Sequence, residues 1–94
     1  MYCVYIIYSK SIDSYYIGET IEIDERIVKH NSGFYEASYT KQSNDWCLFH
    51  KIDCKNRKQA RLIEAHIKKM KSKVYIQNLK KYPEITQRLK EKYN

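Results

Sequence analysis

Between Tyr16 and Asn31 the chain reads Tyr16, Ile17, Gly18 and then, on a short charged stretch, Arg26 and His30. A phenol, a guanidinium and an imidazole gathered in one place suit a phosphate better than a sugar or a peptide. The guanidinium offers paired donors to phosphate oxygens and keeps its charge at any physiological pH. Arg26 and His30 lie four positions apart, which puts them on one face of a helix. Gly18 at the end of an aromatic strand allows a close backbone approach and presents the Tyr16 hydroxyl at the strand's edge. The same residue types also fit a tyrosine packed in a sheet above a solvated arginine and histidine, and types alone leave both readings open.

Three strands and several helices must hold these groups. Met1 to Ser9 is an unbroken run of Tyr, Val, Cys and Ile and reads as a strand buried on both faces or nearly so. Lys10 to Ser14 supplies turn chemistry. Tyr15 to Thr20 reads as a second strand, and so short a connection pairs the two as an antiparallel hairpin. Glu22, Asp24 and Glu25 mark the start of a helix that ends by Asn31 to Gly33, with Ile23 and Ile27 as its apolar stripe.

Phe34 to Asn44 has no period and reads as a loop from which Tyr39, Thr40 and Lys41 reach a ligand. Trp46 to Asp53 alternates as a third strand, with Trp46, Leu48, His50 and Ile52 on one face and Cys47, Phe49 and Lys51 on the other. That alternation separates Cys47 from His50 and argues against a zinc site built from Cys47, His50 and Cys54.

Asn56 is a natural N-cap for a main helix running to Met70, whose apolar positions Ala60, Ile63, Ile67 and Met70 recur every three or four residues. Glu64 falls at the edge of that stripe, roughly 80° from its centre, beside Arg57, Arg61 and Lys68. From the helix alone Glu64 reads as half of a surface ion pair with Lys68. Val74 to Leu79 forms a short further helix, with Asn78 turned toward the sheet or capping its own helix. Pro83 opens a last helix carrying Tyr82, Ile85, Leu89 and Tyr93 at helical spacing.

Ninety-four residues suit one domain over 1–94 with a C-terminal helical extension from about 81. Eighteen Lys and Arg against eleven Asp and Glu leave a charge of +7, in excess toward the C-terminal half. That balance fits a polyanionic partner, and it also fits charge kept for solubility alone. Three cysteines with no CxxC pair indicate a reducing compartment. No apolar run is long enough for a membrane span and no leader pattern is present, so a soluble, cytoplasmic protein without a membrane partner is expected.

The order of these motifs resembles the GIY-YIG endonuclease superfamily, in particular its short single-domain bacterial type, from Tyr2 to about Leu79. The first motif stands as Cys3, Val4, Tyr5, with the tyrosine kept and the glycine lost, and the second is intact as Tyr16, Ile17, Gly18. Arg26, His30, Asn31 and Gly33 continue a pattern like the family's R-x-x-x-H-N-x-G. The resemblance implies an α+β, sandwich-like fold, a small three-stranded antiparallel sheet flanked by helices, and a metal-dependent endonuclease hydrolysing DNA phosphodiesters, structure-selective in repair or recombination.

It further implies Tyr5, Tyr16, Arg26, His30 and Glu64 as catalytic residues, Glu64 as the ligand of one Mg²⁺ or Mn²⁺, and Asn78 as the downstream asparagine. Either Tyr5 or Tyr16 would orient or deprotonate the attacking water, although a free phenol keeps its proton to about pH 10. Tyr39, Lys41, Lys68 and Lys71, with Asn78, are the candidate nucleic-acid contacts. DNA is the expected partner, with RNA left open, and in a chain without an appended reader specificity falls to nucleic-acid shape, a homodimer or a separate targeting partner. A non-catalytic nucleic-acid-binding module of the same fold is the alternative, and a basic protein-interaction domain a third reading.

Overall fold

The computed structural model describes residues 1–34 and 39–94. Strand β1 (Cys3–Ser9) turns through residues 10–13 into β2 (Ser14–Thr20), and helix α1 (Ile23–Asn31) follows. A 3-10 turn at Tyr39–Gln42 leads to β3 (Cys47–Asp53), and three helices close the chain: α2 (Arg57–Met70), α3 (Lys73–Lys81) and α4 (Pro83–Lys92). The sheet is antiparallel in the order β2-β1-β3, so the most apolar strand is the central one. This is the expected α+β architecture.

Each face of the sheet has its own core. Val4, Ile6, Ile17 and Ile52 pack under Ala60, Ile63 and Ile67 of α2, with Ile76 of α3 and Leu89 of α4. On the opposite face Tyr5, Ile7 and Trp46 pack with Tyr16 and with Ile23 and Ile27 of α1. Alternate residues of β1 therefore serve different cores, which is why the strand carries no polar residue before its end.

The helix ends are set by local chemistry. Asn56 caps α2 by accepting from the Gln59 backbone N–H at 2.9 Å, and the Gln59 side chain accepts from Lys55 N at 2.8 Å. Ser72 caps α3 through the Tyr75 N–H at 3.1 Å, and Pro83 occupies the first turn of α4. Lys73 at the start of α3 donates to the Asp13 carbonyl at 2.7 Å, tying the helices to the tip of the hairpin.

Several expectations require correction. The structure starts α3 at Lys73 and carries it to Lys81, beyond the expected Val74–Leu79, because Ser72 supplies the cap. Met70 is 45% exposed and not part of the core, since it closes the last turn of α2 directly before the chain turns away at Lys71, a left-handed residue with φ of +48°. Thr40 faces inward and is 1% exposed, so it does not reach out from the loop.

Strand β3 is also irregular: Ile6 pairs with His50 but Ile7 pairs with Leu48, leaving Phe49 as an extra residue. This bulge puts Cys47, opposite Tyr8, and His50, opposite Ile6, on the same face, against the strict alternation. It also sends Trp46 and Ile52 into separate cores. Those polar groups have other uses. The Cys47 thiol donates to the Tyr8 carbonyl at 3.6 Å, the Cys54 thiol to the Ile52 carbonyl at 3.5 Å, and His50 Nε2 meets Thr86 Oγ1 at 3.4 Å. Among the described residues no group of three His, Cys, Asp or Glu is placed to hold a metal ion. No helix among them is long and apolar enough to cross a membrane.

Candidate active site at the β2 edge

The site begins with the pairing of Tyr5 and Gly18 across the hairpin. The Tyr5 ring occupies the space beside the Gly18 backbone. A Cβ at residue 18 would stand 2.6 Å from Tyr5 Cζ and closer still to the hydroxyl, so only glycine leaves room for the ring. Lying there, the Tyr5 hydroxyl reaches His30 Nε2 at 2.8 Å, and the other ring nitrogen, Nδ1, meets Thr40 Oγ1 at 2.6 Å.

His30 is 3% exposed. Burial first, and then the charge of Arg26 one turn earlier, pull its pKa down to about 4. The imidazole is therefore neutral near pH 7, donating through one nitrogen and accepting through the other, and the two hydroxyls fix its plane.

Two further bonds brace this chain of groups. The Trp46 indole N–H donates to the Thr40 carbonyl at 2.8 Å, holding the 3-10 turn against the start of β3. The Asn31 side chain clamps the Trp46 backbone at both ends, donating to its carbonyl at 2.9 Å and accepting from its N–H at 2.7 Å. Helix α1 thus carries His30 and the clamp on consecutive residues.

Tyr16 lies on the same face as Tyr5, one position from the edge of this cluster. Its ring centroid is 5.0 Å from that of His30 and 6.4 Å from that of Tyr5. The Tyr5 hydroxyl is committed to His30 in a residue 1% exposed, whereas Tyr16 is half-buried and its hydroxyl makes no hydrogen bond among the described residues. Since β2 is an edge strand, side chains from α2 on the opposite face can reach around it. Lys68 does so, its Nζ lying 6.0 Å from the Tyr16 ring centroid and 3.8 Å from Glu64 Oε2.

Glu64 is the carboxylate of this edge, its side chain 21% exposed. Burial pushes its carboxyl above the usual range, Lys68 and Arg61 pull it back, and Glu19 pushes it further up. Glu19 directly follows Gly18 and projects to the helix side of β2, where Arg57 Nε stands 3.5 Å from its carboxylate. Two hard oxygen donors on neighbouring elements are thus the groups here suited to a magnesium-like ion. Arg26 is half-buried on α1 and lines a shallow cavity of about 200 Å³ with Thr20, Glu22, Glu25 and Lys29.

Of the residues singled out in the sequence, Tyr5, Tyr16, His30, Lys68 and Glu64 are linked by direct contacts, and Arg26 joins them through its charge on His30. Tyr39 stands beside them, its hydroxyl donating to Ser14 Oγ at 2.8 Å and its ring 6.4 Å from Trp46. Lys41 is exposed on the 3-10 turn and Lys71 is exposed at the end of α2. Among the described residues, no hydrogen bond connects Asn78 to the cluster. It lies half-buried on α3, which packs on α4, α2 and β3, and it is the helix's backbone, not the Asn78 side chain, that closes the end of α3 through Tyr82 N at 2.8 Å. Sequence reasoning missed Thr40 as the partner of His30, Asn31 as the clamp, and Glu19. Only Glu19 carried a signal, its place next to Gly18 in the strand alternation.

The sequence model of the GIY-YIG catalytic domain matches residues 1–82. The chain belongs to the GIY-YIG family. Domains of this nuclease-type family are generally endonucleases and typically use divalent metal ions. A UPF0213 protein of Syntrophus aciditrophicus (strain SB) is 38% identical over 69 residues, covering 73% of this chain and 79% of that protein. No solved structure matches the chain. Within the GIY-YIG frame the lost glycine of the first motif is Cys3, which pairs with Thr20 and is 4% exposed. The thiol fills core space, and its burial raises its pKa above the ordinary value, so the substitution leaves the Tyr5–Gly18 contact two residues along undisturbed. Helix α4 lies beyond the matched residues.

Proposed function

We propose that this GIY-YIG chain is a metal-dependent endonuclease that hydrolyses DNA phosphodiester bonds, structure-selective and serving repair or recombination in the cytoplasm. In this reading residues 1–82 are its catalytic domain and α4 an extension of the same unit. The observation that carries it is the meeting, at the β2 edge, of a phenol without a hydrogen bond among the described residues and a half-buried carboxylate from different elements, Tyr16 and Glu64, joined through Lys68.

Glu64, with Glu19 beside it, would hold one Mg²⁺ or Mn²⁺, and that ion supplies Lewis acidity toward a phosphoryl oxygen. Tyr16 orients the attacking water, since its hydroxyl makes no hydrogen bond among the described residues. Arg26 stabilises charge gathering on the phosphoryl oxygens, where fixed donors have their largest effect. Tyr5 and His30 act as positioning residues: a neutral, buried imidazole held between two hydroxyls is a poor anion binder, but it fixes the surface against which the Tyr16 ring leans at a tilt. Tyr39, Lys41, Lys68 and Lys71 contact the DNA backbone, and Asn78 is left out of this set.

One observation favours the non-catalytic reading, in which the fold binds nucleic acid without cutting it. The Lys68 ammonium stands 3.8 Å from Glu64 and already neutralises part of its charge. Incubation with supercoiled, single-stranded and branched DNA in Mg²⁺, Mn²⁺ or EDTA separates the two readings. Nicking dependent on the ion and abolished by Glu64→Ala, with binding nearly intact, is the expected result. Equal nicking by Glu64→Ala removes that carboxylate from the mechanism, and binding without nicking under every condition selects the non-catalytic module.

A further inference from the structure

Behind α2, on the side away from the β2 edge, α2, α3 and α4 leave an open cavity of about 350 Å³ lined by His66, Tyr75, Ile85, Arg88, Leu89 and Lys92. Leu89 and Ile85 form an apolar floor. Tyr75 and His66 stand as an aromatic wall, their ring centroids 6.2 Å apart, and the His66 ring is held by a 2.8 Å hydrogen bond between Nδ1 and the Tyr93 hydroxyl.

The rim is cationic. Arg88 and Lys92 flank the opening, no carboxylate is among the described residues that line it, and the charges felt by the His66 imidazole are those of Lys92 and Lys69. Most of the lining, and the Tyr93 that orients His66, comes from α4 or beyond it, outside the residues matched by the family. An aromatic wall over an apolar floor accepts a flat ring, and a cationic rim without acids selects a ring that carries an anion. A nucleotide has both parts, and base stacking on aromatic side chains with arginine alongside is how unpaired strands are held.

We propose that this cavity is an accessory site for one unpaired nucleotide of the DNA, its base against Tyr75 and His66 and its phosphate between Arg88 and Lys92. The proposal rests on the nuclease reading for the identity of the polyanion and adds the substrate class, DNA with an unpaired segment beside the cut. Position supports the pairing of the two sites. Glu64 and His66 are two residues apart, about 200° around one helix, and so separated by about one helix diameter of 10–12 Å. Lys68, Lys69 and Lys71, all exposed, cross the end of α2 between them.

The test is binding in EDTA, with 2-aminopurine at the first unpaired position of a duplex bearing a single-stranded flap. Wild-type protein is expected to quench the fluorophore and to bind the flapped DNA at least about fivefold tighter than the plain duplex. Arg88→Ser, and Ile85→Trp which fills the cavity, should each remove most of that preference while leaving duplex affinity unchanged. Both are checked for folding by circular dichroism. Absence of quenching, or an unchanged preference in both variants, overturns the proposal. So does self-association of the wild type that Ile85→Trp abolishes, because the cavity then belongs to a second copy. Quenching without nicking in Mg²⁺ would refute the nuclease reading and leave the cavity assignment standing. Nicking without quenching would do the reverse.

Discussion

At Gly18 a missing side chain decides the position of another residue's functional group. The Tyr5 ring occupies the space a Cβ would need, within 2.6 Å of Tyr5 Cζ, so Gly18→Ala must lift the ring and break the contact from Tyr5 to His30. The cost should be about 1–3 kcal/mol, as for overpacking elsewhere, with a loss of nicking larger than the loss of stability explains. Urea denaturation alongside a nicking assay reads both, and an alanine variant of full stability and activity would show that the ring has another place to go. Burial has a second consequence at His30.

Its pKa falls from 6.5 to about 4, so between those values the unfolded chain binds a proton that the folded chain does not. Stability from this residue is therefore unaffected above about pH 6.5, declines as pH falls through that window, and stops declining below about pH 4. At about 1.4 kcal/mol per unit the loss comes to about 3 kcal/mol. Comparing wild type with His30→Gln at pH 7 and pH 4.5 isolates this effect from the other histidines and the carboxylates. A difference between the two proteins that does not shrink on acidification argues that the imidazole is protonated in the folded state.

At the scale of elements, the legible parts of the fold were those in which one residue type has one use. Asn56 and Pro83 mark helix starts because an N-cap acceptor and a missing N–H fit there and few other places. The unbroken apolar run of β1 identified a strand buried on both sides. The bulge at Phe49 was not legible, because an extra residue in a strand leaves composition unchanged and appears only once β1 fixes the register. Thr40 was misread for a similar reason. A threonine in an aperiodic loop carries no sign that an imidazole ten positions away will turn it inward.

Asn31 was legible as a motif letter but not as a clamp, since its partner is the backbone of Trp46 and any residue has a backbone. That clamp makes an element-scale prediction. Asn31→Ala leaves the N–H and C=O of Trp46 without their partners and should cost about 2 kcal/mol. Amide exchange at Trp46 should speed up before that of the strand centre, and Asn31→Asp, which can still accept from the N–H, should recover part of the loss. Unchanged exchange at Trp46 in the alanine variant would mean that β3 begins independently of α1.

Across the whole molecule the active-site candidates lie where the sheet ends, and so does the charge. Helix α2 runs antiparallel to β2, with Arg57 opposite Glu19, Lys68 against Tyr16, and Lys73 of α3 on Asp13 at the hairpin tip. Cations thus follow the open edge of the sheet along its length. With a net charge of +7, attraction to DNA would follow from composition alone, but a surface that only attracts and a track that neutralises particular phosphates respond differently to mutation. Each phosphate that the protein neutralises releases a counterion, so the slope of log affinity against log salt on duplex DNA should change by about 0.9 for every phosphate left without its cation. Lys68→Ala and Lys71→Ala are each expected to flatten that slope by about 0.9, and Lys58→Ala, an exposed cation on the far side of the Arg57 turn, to flatten it little. Titrations between about 50 and 200 mM salt resolve such differences. Equal flattening by all three variants would mean that the +7 acts as a diffuse field, and the β2 edge would lose its claim to be where the duplex lies.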